Sequence, residues 1–284
     1  MIQNHGFELM DSANGIALLK TYDKTSKSSY YLQIIDIQQV RINQYCVETP
    51  NEGLNQGKYL LGEKGFKSPY FKMLSHANVQ KEQQKLLGNQ YFSIMNCSFF
   101  EEHKPETQLS FPIKKEGKIL TGGSSPFGPI ETPNHAYYKK ITLKALIWND
   151  IDVQIKDYVV KTGFPLIDST WKNGLVSYAY LDHPAQLFRP GSRNRYHLIS
   201  TSKIDDANRN VLVILTSDNA TLTQAGSFFK TLNINGDIMT IDGGASVFMH
   251  NRKAGTLAVP RLLNPTDPNS FSLLPHYWVF SLKN

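Results

Sequence analysis

The chain of 284 residues is 40% hydrophobic and 19% charged, ordinary globular usage that excludes a disordered or fibrous protein and allows a large core. Its formal charge of +6 favours acidic partners. Yet the densest basic stretch, RPGSRNR from Arg189 to Arg195, has no interleaved aromatic platform, so a local anion site is expected there and no nucleic-acid partner is.

Cys46 and Cys97 supply neither a disulfide framework nor the Cys-x-x-Cys pairs of a zinc site, and two buried thiols are expected. The stretch MIQNHGFELMDSANG lacks a charged segment followed by an apolar one. No apolar run approaches the roughly 20 residues of a membrane span, so neither an export signal nor a span is expected.

Residues 1–30 read as an N-terminal extension with the first strands, and 31–284 as the main domain. Tyr, Ile and Val make SSYYLQIIDIQQVRINQYCVE strand-like, whereas SHANVQKEQQKLLG, from Ser75 to Gly88, has helix formers and a Gly stop. QYFSIMNCSFF is an aromatic-rich strand ending in a polar cluster, and FPIKKEGKIL reads as a hairpin around Gly117. TGGSSPFGPIETPN, from Thr121 to Asn134, is a loop long enough to line a site. ITLKALIWNDIDVQI gives strands around Asn149 and Asp150, and GFPLIDSTWKNGLV a short strand and turn.

The last third is the most patterned. NVLVILTSD is a continuous apolar run of the kind covered on both faces. In TLTQAGSFFKTLNING, Thr221 and Gln224 are spaced as a capping box ahead of apolar residues at helical spacing. DIMTID follows as a strand, so a crossover unit joining two parallel neighbours is expected. The fold class expected is α+β: a mixed central sheet with packed helices.

Three apolar runs end in polar residues: Thr216 and Asp218, Thr240 and Asp242, and Asn96. In parallel strands such ends open into a ligand crevice, and alternation places Thr240 and Asp242 on one face. Gly243 and Gly244 can adopt positive φ and form an anion-binding nest with Ser246 just beyond, or they can form a hairpin turn. Arg195, with Arg193 a near equal, could supply a fixed cation for phosphate oxygens. His183, His197 and His250 lack metal-ligand spacing, and neither a Gly-x-Ser-x-Gly elbow nor a Walker loop occurs.

Together these residues resemble the phosphodiester glycosidase domain family, that of the lysosomal uncovering enzyme and of many bacterial proteins linked to exopolysaccharides. Asn96-Cys97-Ser98-Phe99-Phe100 stands where the family has Asn-Gly-Gly-Phe-Phe, and Pro112 to Leu120, Gly163 to Leu166 and Arg195 to Ile199 are similar to three further segments. The strand, the Thr221-Leu222 helix start and Thr240-Ile241-Asp242-Gly243-Gly244-Ala245-Ser246 match the family's final motif. Cys97, Ser98, Ile199 and Ala245 replace glycines, and Thr240 replaces Asn.

The resemblance implies a phosphodiester glycosidase-like fold and hydrolysis of a sugar-1-phosphodiester, with a sugar phosphodiester or phosphorylated glycan as partner. It implies Asp242 as the catalytic carboxylate with Asp218 second, Arg195 or Arg193 and the Gly243-Gly244 amides on the phosphate, and Asn96, Thr240 and Ser246 positioning substrate. One carboxylate can suffice because a phosphate is already a good leaving group. No cofactor is required, though Asp218 and Asp242 with nearby carbonyls could hold a divalent cation such as calcium. The family is usually exported. The rival expectation is a non-catalytic module that binds phosphorylated or acidic glycans.

Overall fold

A computed structural model describes residues 6–53, 66–124, 141–204, 209–234, 236–261 and 273–284. Most of the loop expected at 121–134 and the Asn235 helix stop lie outside the described residues. Strands are numbered β1 to β21 along the chain. The largest sheet runs in the order β1 (Glu8–Ala13), β2 (Ile16–Asp23), β3 (Ser28–Ile35), β16 (Arg209–Ala220), β15 (Asn194–Ile204), β17 (Met239–Ile241). A second has the order β11 (Lys118–Thr121), β10 (Ile113–Lys115), β14 (Asn173–Tyr178), β12 (Leu143–Trp148), β13 (Val153–Asp157). A third has the order β19 (Gly255–Ala258), β18 (Met249–Asn251), β8 (Tyr91–Asn96), β21 (Tyr277–Leu282), β4 (Val40–Tyr45). Two small sheets pair β20 (Leu273–Leu274) with β7 (Leu74–Ser75), and β5 (Glu48–Glu52), β6 (Pro69–Lys72) and β9 (Glu106–Gln108).

This architecture overturns the expected α+β fold with one mixed central sheet. Among the described residues three α-helices accompany twenty-one strands: α1 (His76–Leu87), α2 (Pro184–Phe188) and α3 (Leu222–Thr231). Every strand pair described is antiparallel. The physical reason is visible in the connections. Short turns such as Asn149–Asp152, where Asn149 Oδ1 accepts from the backbone N–H of Ile151 (3.0 Å) and Asp152 (2.9 Å), return the chain beside itself.

The crossover expectation is corrected in the same way. β17 and β16 do run in the same direction, but β15 lies between them and pairs antiparallel with both. Helix α3 therefore carries the chain over β15 instead of joining neighbours. Its start follows the sequence: the Gln224 N–H donates to Thr221 Oγ1 at 3.1 Å, and the Thr221 N–H to Gln224 Oε1 at 2.9 Å.

One core collects apolar side chains from all three larger sheets, including Leu212, Ile214, Ile199 and Ile241 from the first, Leu146 and Leu175 from the second, and Met95, Trp278 and Phe280 from the third. The outer face of the first sheet is covered by Leu222, Ala225 and Phe229 of α3. Thus Leu212 and Ile214 turn into the central core while Val211, Val213 and Leu215 turn towards α3, which explains an apolar run without alternation. Truncating a side chain as deeply buried as Trp278 to Ala is expected to cost about 3–5 kcal/mol. The first and third sheets both border this core, and their strand ends meet at its margin.

Candidate functional site

Asn96 ends β8 in the third sheet, and Asp242 follows β17 in the first. The Asp242 N–H donates to the Cys97 carbonyl at 3.0 Å, stitching the two sheets together. Asn96 is oriented by a donor that cannot be reversed, because the backbone N–H of Phe248 donates to its Oδ1 at 2.8 Å. Its Nδ2 must then face Asp242, donating to Oδ2 at 3.0 Å and to the main-chain carbonyl at 3.2 Å.

The orientation propagates inwards. Asn96 Oδ1 also accepts from His197 Nε2 at 3.1 Å, so the imidazole proton sits on Nε2 and Nδ1 accepts from the Thr216 hydroxyl at 2.8 Å. Burial, helped by the Arg195 charge, pushes the His197 pKa down to about 3, so the ring is neutral at any working pH. Thr216, His197, Asn96 and Asp242 form one continuous chain of hydrogen bonds.

Asp242 sits at its outer end. Burial pushes its pKa up to about 8, against the opposing pull of hydrogen bonds from Asn96, Ser246 and the Gly243 backbone. A carboxyl in that range exchanges protons near neutrality, which an ordinary surface aspartate does not. Ser246 is itself buried, so Asn96, Asp242 and Ser246 are brought into direct contact.

The paired glycines do not make a hairpin. β17 pairs with β15, whereas β18 pairs with β8 and β19, so Gly243 and Gly244 pass the chain from the first sheet to the third. A Cβ on Gly243 would lie 3.2 Å from the Arg195 carbonyl and 3.6 Å from the Tyr196 ring, and Gly244 has φ +69. Close approach to β15 and a left-handed turn are what these two positions require.

Arg195 is 7% exposed. Its guanidinium donates to the carbonyls of Val259 and Ala245, while Nε has no partner among the described residues. Burial and the nearby charge of Arg261 lower its pKa to about 10. The expected alternation of Thr240 with Asp242 is not seen. Thr240 lies opposite Leu198, in the core under α3, whereas Asp242 has left the strand to bond with Cys97. The Thr240 hydroxyl is buried and unpartnered among the described residues.

Asp218 and Arg193 lie at a different corner. Asp218 Oδ1 accepts from Ser28 Oγ at 2.7 Å and from the Ser29 N–H at 2.9 Å. Arg193 is exposed and donates to the carbonyls of Ser26 (2.5 Å) and Asn219 and to Gln224 Oε1 (3.3 Å). Among the described residues no group of three or more His, Cys, Asp or Glu is placed to hold a metal ion.

Sequence reasoning passed over His197, Arg261 and the contact between Ser98 Oγ and His276 Nδ1 at 2.5 Å. His197 faces Thr216 in register across β15 and β16, a pairing that depends on which strands meet. Ser98 and its partner His276 are both buried, and burial lowers the His276 pKa to about 3, which keeps the ring neutral.

No protein-family model matches the chain, and neither does any curated protein. Among solved structures, the catalytic domain of zebrafish N-acetylglucosamine-1-phosphodiester alpha-N-acetylglucosaminidase, auto-inhibited by its pro-peptide, is similar with a TM-score of 0.54 at 13% identity, covering 98% of this chain and 83% of that one. A hypothetical protein from Synechocystis is similar with a TM-score of 0.52 at 10% identity, covering 98% of this chain and 64% of that one. At such identities the likeness is one of fold, and the relationship it supports is distant.

Proposed function

We propose that the protein hydrolyses a sugar-1-phosphodiester, with N-acetylglucosamine-1-phosphodiesters as the first class to try. The observation that carries this reading is the buried Asp242 carboxyl, aimed by Asn96 and raised to a pKa of about 8 at the junction of two sheets. In the proposed step Asp242 takes a proton from water, the water oxygen bonds to the anomeric carbon, and the carbon–oxygen bond to phosphate breaks. The phosphomonoester leaves as an anion, so no second acid is needed to protonate it. Arg195, a buried cation without a carboxylate partner among the described residues, offsets the phosphate charge. Asn96, Ser246 and the Gly243 backbone hold the carboxylate, while Asp218 and Arg193 belong to the scaffold.

The fold likeness to a phosphodiester glycosidase catalytic domain supports the same reading. The Ser98–His276 contact, at a position where the resembled motif has a glycine, favours a second one, in which the site binds a phosphorylated glycan without cleaving it. Hydrolysis of UDP-N-acetylglucosamine or a simple alkyl N-acetylglucosamine-1-phosphodiester in oxygen-18 water separates the readings. Label in the released sugar is expected. Label in the phosphate would indicate attack at phosphorus, and binding by calorimetry without product would support the module.

A further inference from the structure

Strand β4 lies at the edge of the third sheet, where β21 is its one neighbour among the described residues. The Lys283 N–H donates to the Gln39 carbonyl at 2.9 Å, and in the same register Ser281 faces Arg41, Val279 faces Asn43 and Tyr277 faces Tyr45. Hydrogen-bonded pairs of an antiparallel ladder recur at every second residue, so these are the pairs that direct their N–H and C=O groups at β21. The N–H and C=O groups of Ile42 and Gln44 therefore point away from the sheet. Among the described residues they meet no partner.

Ile42 and Gln44 line an open groove of about 820 Å³. One wall is α1, through Glu82, Leu86 and Leu87, and the other is the turn between β10 and β11, through Lys115, Glu116 and Gly117. The Gln44 side chain braces the strand against that second wall, donating from Nε2 to the Lys114 carbonyl at 2.7 Å and to Asn173 Oδ1 at 3.1 Å. On the first wall Leu86 is 74% exposed, an apolar contact with nothing over it. Of the charges lining the groove, Lys172 pairs with Asp150, and Glu82 accepts from the Tyr45 hydroxyl at 3.1 Å. Arg41, Lys115 and Glu116 form no ion pair among the described residues, which leaves two cations against one acid.

An unpaired edge is a template for a further strand, and an edge recessed between two walls admits a lone extended chain but not the edge of a second sheet. A strand laid along β4 turns alternate side chains to opposite faces, one set towards α1 and the other towards the β10–β11 turn. We propose that this groove docks an extended peptide segment of a partner protein, hydrogen-bonded to the Ile42 and Gln44 backbone. Its apolar side chains face Leu86, and its acidic ones face Lys115. Tyr45 is paired with Tyr277 and Tyr277 with Asn96, so the groove ends two strands away from Asn96 and the proposal is independent of hydrolysis.

A capped hexapeptide alternating Val with Asp, titrated into the nitrogen-15-labelled whole chain, tests this through backbone amide shifts. Saturable shifts at Ile42 and Gln44 are expected. Methylating every second peptide amide removes the ladder bonds in one phase and spares them in the other. One methylated peptide should therefore bind about 10-fold or more weakly, while its counterpart binds like the parent. Leu86→Asp, a change at an exposed position, is expected to weaken binding about 10-fold, and Lys115→Gln about 3-fold. No saturable binding, equal losses with the two methylated peptides, or an unchanged affinity in Leu86→Asp would overturn the docking site. Shifts at the same amides from an N-acetylglucosamine oligosaccharide but none from the peptide would also overturn it, and would make the groove a glycan site.

Discussion

Two aspartates that look alike in the sequence, each closing an apolar strand, have opposite surroundings in the fold. Asp218 is half-exposed and spans to the neighbouring strand of its own sheet, accepting from Ser28 Oγ and the Ser29 N–H. Asp242 is buried between two sheets, faces the Asn96 amide and Ser246, and has its pKa pushed up to about 8 by burial. The difference lies in where the strand ends. An acid that meets a partner within its sheet becomes a staple, whereas one that ends at a seam between sheets is shielded from water.

The sharpest way to break this comparison is to neutralise each acid in turn. Asp242→Asn keeps an acceptor for Asn96 but removes the proton acceptor, and turnover of a sugar-1-phosphodiester is expected to fall by about 10³-fold. Asp218→Asn is expected to stay within about 3-fold, because its hydrogen bonds reach only Ser28 and Ser29. Equal losses in the two variants would dissolve the distinction.

Asn96→Ala comes next. It leaves the Phe248 N–H, His197 Nε2–H and Asp242 carboxyl short of a partner at once, and chemical denaturation is expected to show a loss of about 3 kcal/mol.

The pH dependence sharpens the same contrast. The folded pKa of Asp242, about 8, lies above its ordinary value of 3.8, so the folded chain keeps a proton that the unfolded chain has released. Its contribution to stability is therefore full at acid pH, declines as pH rises from about 4 to about 8, and is flat above. The rate of a reaction that needs the carboxylate should rise with pH through about 8. Asp242→Asn, neutral throughout, should melt above the wild type at pH values near and beyond 8, with the gap closing towards acid. Melting curves that stay parallel across pH would contradict the buried carboxyl.

The smallest expected effect is a control distant from both acids. Thr221→Ala removes the capping hydroxyl of α3 and should cost about 1 kcal/mol in a denaturant melt with turnover unchanged.

Local structure was legible where a short-range rule acts alone. The helix expected from Ser75 to Gly88 spans His76–Leu87, the capping box at Thr221 and Gln224 forms, and β10 and β11 make the hairpin around Gly117. Partner choice was not legible. Alternation tells which side of a strand a residue faces but not which sheet the strand joins, so β17 was expected beside β16 and lies beside β15. The same limit explains the site. Asn96 and Asp242 were picked as polar strand ends and do touch, but nothing local distinguished Arg195, buried against carbonyls, from Arg193, which ties an exposed corner together. His197 went unassigned because its role depends on two partners far away in sequence, Asn96 and Thr216.

The most direct measurement is sugar release from an N-acetylglucosamine-1-phosphodiester by wild type and Asp242→Asn, both shown to be folded by circular dichroism. Steady release by the wild type and a near-complete loss in the variant are predicted. Comparable release by both would show that Asp242 takes no part in the chemistry.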